Sequence, residues 1–149
     1  MQEQKDSAQL IDKLNELLTH ELTTATRYIL EGSSVQGIQF EPLRQLYREE
    51  ILTGISHAQH LADEIVRLGG VPQAKLEVFP RPHEIARMAD MIHRDVQTEE
   101  ADARIYEALG ALSEEFGEAG LKEWTERRVA RKMHHAGRLR ALLDSPEDA

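Results

Sequence analysis

Four segments of the chain carry apolar residues at spacings of three and four, the pattern of helices that bury one face. Short stretches containing Gly or Pro separate the segments. The sequence therefore predicts an all-α fold. The predicted helices run from about Ser7 to Ser33, from Glu41 to about Leu68, from near Pro82 to about Leu109, and from after Gly117 and Gly120 to about Leu142.

Residue types at the helix ends support these limits. Ser7 is a plausible N-cap, Pro42 suits a first helical turn, and Gly69 and Gly70 are expected to end the second helix. The residues predicted to lie on the apolar faces are Leu10, Leu14, Leu17, Ala25, Tyr28, Ile29, Leu43, Leu46, Leu61, Ile65, Leu68, Ile85, Met88, Ile92, Val96, Ala103, Tyr106, Leu109, Leu121, Trp124, Leu139 and Leu142.

The connections between helices constrain the topology. Helices one and two are joined through Val35 to Phe40, and helices three and four through a short turn, so each pair is predicted to form an antiparallel hairpin. The longer stretch from Gly69 to Arg81 can cross the length of a bundle. We expect a four-helix bundle of two hairpins joined by one long crossover, as a single domain over residues 1–149 with a flexible acidic tail at about 144–149.

The composition excludes several classes of protein. Lys and Arg number 18 against 27 Asp and Glu, a net charge of -9 that disfavours binding to nucleic acid. The 149 residues include no cysteine, which removes disulfides, thiolate metal sites and cysteine nucleophiles. No apolar run reaches about 18 residues, so we expect a cytoplasmic protein that does not enter the membrane. Phosphate-loop and serine-hydrolase motifs are also missing.

Polar residues interrupt the apolar faces at matching positions. Glu21 and Glu99 lie on the first helix of each predicted hairpin, and His57 and His135 lie on the second. Each Glu precedes its His by 36 positions (57 − 21 and 135 − 99), so the two hairpins look like copies. Buried carboxylates and imidazoles need a cation, a proton network or each other. Carboxylate oxygen and imidazole nitrogen suit iron, manganese or zinc.

The chain resembles the bacterioferritin-like branch of the ferritin superfamily over nearly its whole length. The matching features are Leu-Asn-Glu-Leu-Leu at 14–18, Glu-Leu at 21–22 with Tyr28 one heptad later, His57-Ala58, Leu-Gly-Gly-Val-Pro at 68–72, and residues 91–99 leading into Ala103. In that family each hairpin supplies one Glu and a Glu-x-x-His pair, and the six residues hold two bridged irons. The resemblance implies that Glu21 and Glu99 are the single carboxylate ligands and that His57 and His135 are the imidazole ligands.

The chain also departs from the family pattern. Gly54 and Lys132 stand three residues before His57 and His135, where the family has its bridging carboxylates. Their replacement argues against an ordinary diiron oxidase centre. Ile55 occupies the place of the family's haem-ligand methionine, so haem is not predicted. The family's short fifth helix has no counterpart, which leaves dimer and cage both open.

Two hypotheses for function follow from the resemblance. In the first, Glu21, His57, Glu99 and His135 bind iron or another divalent metal in iron storage or detoxification, and the chain forms at least a dimer. In the second, Lys132 closes the pocket through salt bridges with Glu21 or Glu99, and the role is structural or partner-binding. An oxidase of an organic substrate on the same fold would need a working metal pair.

Other polar residues receive simpler interpretations. We expect Glu50 on a solvated helix face, and we expect the spacing of His60 and Glu64 relative to His57 to be incidental. His134 points about 100° away from His135 around a helix, so at most one of the two serves the core. A salt-bridged surface or subunit contact is predicted for Arg127, Arg128, Arg131, Arg138 and Arg140.

Overall fold

The fold of the described residues is entirely helical. A computed structural model describes residues 2–76 and 88–144, apart from the side chains of residues 2–6. This part of the chain contains no strand, which confirms the all-α prediction. Its helices are α1 (Gln2–Ser34), α2 (Glu41–Arg67), α3 (Met88–Glu115) and α4 (Ala119–Leu143), with a 3-10 turn at Ile38–Phe40 before α2.

The limits of α1 and α2 test the predicted caps. α1 begins at Gln2, so Ser7 lies inside the helix and its prediction as N-cap is wrong. α2 begins at Glu41 with Pro42 in its first turn, as predicted. Its end is closed by Gly69 at φ 85°, a conformation that glycine adopts without strain.

The predicted ends of α3 and α4 agree with the structure only in part. The predicted start of α3 near Pro82, the core position Ile85 and the tail from residue 145 onward lie outside the described residues. Gly117 adopts φ 70° in the turn between α3 and α4, whereas Gly120 lies inside α4 and not before it. The Glu118 N–H donates to the carbonyl of Ser113 at 2.8 Å and closes this turn.

The chain forms two compact units, Leu14–Ile85 and Met1–Lys13 with Ala86–Ala149. In the first unit α1 and α2 are antiparallel. Glu21 of α1 faces His57 of α2. Tyr28, which comes later in α1, contacts Tyr47, which comes earlier in α2, with ring centroids 5.1 Å apart. Ile29 is 50% exposed, so its prediction as a core residue is wrong. Tyr28 takes the buried position beside it, because neighbouring residues point about 100° apart on a helix.

The described start of the crossover, residues 69–76, runs beside α1 in the same direction. The Asn15 side chain donates to the carbonyl of Val71 at 3.3 Å and accepts from the Gln73 N–H at 2.8 Å. One turn later, the Lys75 N–H donates to Thr19 Oγ1 at 3.3 Å. Side chains of α1 therefore satisfy backbone groups that have no partner within this extended segment.

In the second unit α3 and α4 pack antiparallel, with Tyr106 edge-on to Trp124 at 5.7 Å. The helices pack closely at Gly110, where an added Cβ would lie 2.9 Å from Thr125 Oγ1. Four apolar side chains of this hairpin are fully covered, namely Tyr106, Leu109, Ala136 and Leu139. Leu142, predicted as core, is only half-buried.

The two hairpins repeat each other with an offset of 78 positions (99 − 21 and 135 − 57). Gly32 lies against Tyr47 in the first hairpin, and Gly110 lies against Thr125 in the second, at the same offset. Each hairpin carries a surface cavity at this crossing, of about 220 Å³ and about 350 Å³ respectively. The repeat predicted from four polar residues therefore extends to the packing between the helices.

Candidate metal centre

In the first hairpin the structure brings Glu21 and His57 together. Glu21 follows Leu14 and Leu17 on the buried face of α1, and His57 precedes Leu61 on the buried face of α2. Glu21 is 1% exposed and His57 is 4% exposed. Glu21 Oε1 lies 3.4 Å from His57 Nδ1, at the outer limit of a hydrogen bond. This pair therefore offers one carboxylate and one imidazole away from bulk water.

Gly54 allows Glu21 to lie close to the α2 backbone. A Cβ added at Gly54 would be 3.4 Å from Glu21 Oε2 and 3.6 Å from the Cβ of Ala25. The carboxylate of Glu21 thus lies against the position from which the family's bridging side chain would project. The next residue, Ile55, is 50% exposed and carries no thioether, so it cannot ligate a haem iron.

In the second hairpin a lysine lies between Glu99 and a second acid. Lys132 Nζ lies 3.6 Å from Glu99 Oε2 and 3.9 Å from Asp102 Oδ2, and its side chain is 5% exposed. His135 Nε2 is 3.9 Å from Glu99 Oε1, beyond hydrogen-bond distance. The sequence left Glu21 and Glu99 open as partners of Lys132, and the salt bridge with Glu99 is present; a second acid, Asp102, shares the ammonium.

The imidazole of His135 is electrically neutral. Burial, together with the positive charges of Lys132 and Arg138, lowers the pKa of His135 from 6.5 to about 3. His135 therefore adds no positive charge at neutral pH. Lys132 thus supplies the positive charge within this cluster.

Asp102 and Glu50 are two of the buried acids that the sequence interpretation missed or misplaced, besides Glu31 and Asp95. Asp102 is 2% exposed and lies three residues after Glu99, a spacing that puts both on one face of α3. This spacing in the sequence could have predicted that Asp102 lies beside Glu99. Glu50 is 7% exposed, so the expected solvated position is wrong. It lies one heptad before His57, and this places it on the buried face of α2.

The remaining polar predictions are resolved by exposure and contacts. His134 is exposed whereas His135 is buried, in agreement with the prediction that at most one serves the core. His60 lies at the surface 3.9 Å from Glu64, whereas His57 points to Glu21, so these three do not form one site. In the Arg-rich run of α4, Arg140 pairs with Glu100, but Arg128 lies 5.2 Å from the ring of Trp124.

These residues do not fit a bridged pair of metal ions. A dinuclear carboxylate site of this type uses six protein ligands, and Gly54 and Lys132 leave four at the corresponding positions. Among residues 2–76 and 88–144, no group of three or more His, Asp or Glu side chains comes together in a form that could hold an ion. The buried polar groups are a Glu–His pair in the first hairpin and two acids bridged by a lysine in the second.

Comparison with known proteins identifies the family. Residues 11–148 match the ferritin-like domain. The chain belongs to the ferritin-like domain family. No curated protein matches the sequence. The match and the four helices confirm the predicted ferritin-like four-helix-bundle class.

Several solved structures share this fold. The chain is similar to a ferritin-like diiron-carboxylate protein from Bacillus anthracis, with 27% identity, a TM-score of 0.85 and coverage of 93% of this chain and 97% of that one. It is also similar to Desulfovibrio desulfuricans bacterioferritin, with 19% identity, a TM-score of 0.83 and coverage of 94% and 81%. An archaeal Dps homologue from Halobacterium salinarum gives 18% identity, a TM-score of 0.83 and coverage of 93% and 81%.

None of the helices in the described part of the chain is long and apolar enough to span a membrane.

Proposed function

We propose that this protein is a ferritin-like metal-binding subunit, acting in iron storage or detoxification, that holds divalent metal as cargo but does not oxidise it at a diiron centre. The observation that carries the proposal is the difference between the two hairpins. Glu99 lies 3.6 Å from a lysine ammonium, whereas Glu21 lies 3.4 Å from an imidazole nitrogen. The second hairpin is filled by a fixed cation, whereas the first hairpin keeps metal-binding groups.

The Glu21–His57 pair supports binding of one ion. A carboxylate oxygen and a neutral imidazole nitrogen are both ligands for ferrous iron, manganese and zinc. Two protein ligands leave the remaining coordination positions to water, so we expect weaker and more exchangeable binding than in a closed structural site. Exchangeable binding is consistent with metal as cargo.

The absence of oxidase turnover follows from charge. Two divalent ions at close range repel each other strongly unless bridging anions lie between them. The residues at the two bridging positions are Gly54, which has no side chain, and Lys132, which adds a positive charge. Glu99 and His135 therefore remain a side-chain cluster without metal in this proposal.

Equilibrium dialysis under anaerobic conditions tests the metal site. With ferrous ion we expect about one bound ion per chain, lost in Glu21→Ala and in His57→Ala because each removes one of two ligands. Glu99→Gln, at the corresponding position of the second hairpin, is the matched control and should keep the ion. The proposal fails if the natural chain binds no ferrous ion, or if Glu21→Ala leaves the stoichiometry unchanged.

The second candidate function is a metal-free structural or partner-binding protein. It is favoured by the buried ion pairs of Lys132, which need no metal for charge balance. In this case dialysis gives no bound ion in any of the variants. The combined substitutions Gly54→Glu and Lys132→Glu should then create ferrous binding and oxidation that the natural chain does not have. Rapid ferrous oxidation by the natural chain would contradict both candidates.

We further propose that the chain assembles as at least a homodimer. Five large apolar residues of α1 and α2 are 40% to 71% exposed, namely Ile29, Leu30, Leu52, Ile55 and Val66. A contact with another protein would remove this exposed apolar surface from water, which favours association. Light scattering should give at least twice the chain mass of 16.9 kDa, and Leu52→Glu should lower it. A natural chain that is monomeric at micromolar concentration would refute the assembly.

Two sequence predictions remain part of the same proposal. Residues 1–149 are proposed to form one domain, which should unfold in a single transition by circular dichroism and by Trp124 fluorescence. Separate transitions by the two probes would argue against one domain. A cytoplasmic location is proposed as well, and cell fractionation checks it.

A further inference from the structure

The surface cavity between α1 and α2 is lined by apolar side chains that core packing holds in place. Its volume is about 220 Å³, and its apolar walls include Tyr28, Tyr47, Ile29 and Ile51. Tyr28 and Tyr47 are each 1% exposed, so neither ring can turn away without opening the core. An apolar cavity of about 150 Å³ can hold a benzene molecule. The α1–α2 cavity therefore has room for one aromatic ring with a small polar group.

The charged side chains among the described residues of this cavity are two arginines, Arg44 and Arg48. They lie four residues apart on one face of α2. Their guanidinium groups converge on one carboxylate, since Arg44 Nη1 is 3.4 Å from Glu41 Oε2 and Arg48 Nη2 is 3.7 Å from Glu41 Oε1. Both distances exceed the roughly 2.7–2.9 Å of a charge-assisted hydrogen bond. Two cations thus share one loosely held anion, and the group carries a net positive charge beside the cavity.

The internal repeat indicates that this charge is not a requirement of helix packing. With the offset of 78 positions, Arg44 corresponds to Lys122 and Arg48 to Glu126. The equivalent α3–α4 cavity is lined by Glu107, Glu114, Glu126 and Lys122, and Lys122 Nζ lies 3.2 Å from Glu114 Oε1. The same place in the second hairpin is therefore mainly acidic. Since the crossing forms with either charge, the two arginines point to a ligand of the first cavity.

We propose that the α1–α2 cavity binds a small aromatic carboxylate, with the carboxylate on the guanidinium groups of Arg44 and Arg48 and the aromatic ring against Tyr28 and Tyr47. This inference goes beyond the proposed function and does not rest on it. The site lies within the first hairpin, apart from Glu21 and His57.

The chemistry of the lining favours this class of ligand. Guanidinium groups match the planar geometry of a carboxylate, and the position of Glu41 shows that these two can approach one carboxylate together. Glu41 competes only weakly, because exposed ion pairs of this kind contribute little. Aromatic rings pack well against one another in tilted or offset arrangements, as Tyr28 and Tyr47 already do at an interplanar angle of 41°. A cavity with apolar walls and a few convergent polar groups is the usual form of a small-molecule site.

Saturation-transfer NMR on the full-length chain tests the proposal with benzoate as the probe. Benzyl alcohol, which has the same ring but no charge, is the matched control ligand. We expect saturable binding of benzoate, at least about tenfold tighter than that of benzyl alcohol, because hydrogen bonds to charged groups are the stronger ones. If benzoate shows no saturable binding, or if the two ligands bind equally, the proposal is wrong.

Substitution of the arginines identifies the site. Arg44→Gln and Arg48→Gln should each weaken benzoate binding by about tenfold, since each removes a charged donor. Lys122→Gln removes a positive charge at the equivalent position of the second hairpin and should leave the affinity unchanged. Circular dichroism checks that the variants remain folded. An equal loss in Lys122→Gln would mean that benzoate responds only to overall charge, and this would overturn the assignment.

Replacement of Glu41 gives a test in the opposite direction. Glu41→Gln removes the carboxylate that the two arginines share, so benzoate should bind several-fold more tightly. A role of the arginines in surface packing alone would give no such gain. An affinity that is unchanged or weaker in Glu41→Gln would refute the convergence of both guanidinium groups on the ligand.

A further variant separates this site from the proposed homodimer. Ile29 lines the cavity and also belongs to the exposed apolar residues of the assembly proposal, whereas Leu52 does not line the cavity. Leu52→Glu should therefore keep the benzoate affinity whatever it does to the mass. Loss of benzoate binding in Leu52→Glu would contradict a site built within one hairpin. Glu21 and His57 are unchanged in all these variants, so the ferrous-binding test succeeds or fails independently.

Discussion

The two glycines at the helix crossings provide a sharp test of the packing. The structure predicts that replacement by alanine stabilises the chain at one crossing and destabilises it at the other. In Gly110→Ala the new Cβ would lie 2.9 Å from Thr125 Oγ1, closer than real Cβ contacts. Thr125 is 1% exposed, and its hydroxyl donates to the carbonyl of Lys122 at 2.7 Å. The obstacle is therefore held in place. In Gly32→Ala the nearest atom is the Cβ of Tyr47 at 3.4 Å, a tight contact that a small shift relieves.

The expected magnitudes follow from two opposing effects. Replacing glycine by alanine inside a helix favours folding by about 0.8–1 kcal/mol. Overpacking a buried contact costs about 1–3 kcal/mol. We therefore expect Gly32→Ala to raise the free energy of unfolding by up to about 1 kcal/mol and Gly110→Ala to lower it by about 1 kcal/mol. The difference between the two variants should be about 2 kcal/mol.

Urea unfolding followed by circular dichroism, at one fixed chain concentration, measures this difference. A rescue experiment identifies its cause. Adding Thr125→Ala to Gly110→Ala removes the obstructing oxygen, so the double variant should be less destabilised than the sum of its two single variants. Equal stability of Gly32→Ala and Gly110→Ala, or strict additivity in the double variant, would refute the proposed clash.

Two further predictions concern the buried histidine and the crossover. The pKa of His135 is lowered to about 3, so between pH 6.5 and about 3 the unfolded chain binds a proton that the folded chain does not, and stability must fall as pH falls. Between pH 7.5 and 5 this lowers the free energy of unfolding by about 2 kcal/mol, and the loss should be absent in His135→Gln. Urea unfolding of both chains at both pH values measures it. The same pH dependence in the two chains would contradict the assignment. Asn15→Ala removes the acceptor of the Gln73 N–H and should speed hydrogen exchange of that amide. The Lys75 amide, which donates to Thr19, should stay protected. Unchanged exchange at Gln73 would show that Asn15 does not hold the segment.

Much of the fold could be predicted because helix periodicity is a local property. The start of α2 at Glu41 and its end before Gly69 follow from residues that stop or start a helix by their own backbone preferences. The N-terminus of α1 was missed because Ser7 can cap a helix but does not prevent one from continuing. Ile29 was misplaced because it lies at the edge of the apolar face, where neighbouring packing decides which residue is covered.

The candidate site could be predicted only in part. The equal spacing in the two hairpins was sufficient to pair Glu21 with His57, because the position of a residue along a helix fixes its height and direction. Asp102 was missed because its significance depends on Lys132, which lies on another helix. Glu50 was misplaced because an acidic side chain is usually solvated, and its burial depends on what packs over it.

The sequence by itself determined the four helices, the repeat of the hairpins and the four polar positions of the candidate site, since all of these depend on residue type and periodicity along one helix. Only the tertiary structure decided how Lys132 is used. Its ammonium could have paired with either proposed acid or lain in solvent, and the contact with Glu99 and Asp102 appears only when α4 packs on α3. The same packing buries His135 beside a positive charge and keeps it neutral, because the pKa of a side chain is set by its surroundings.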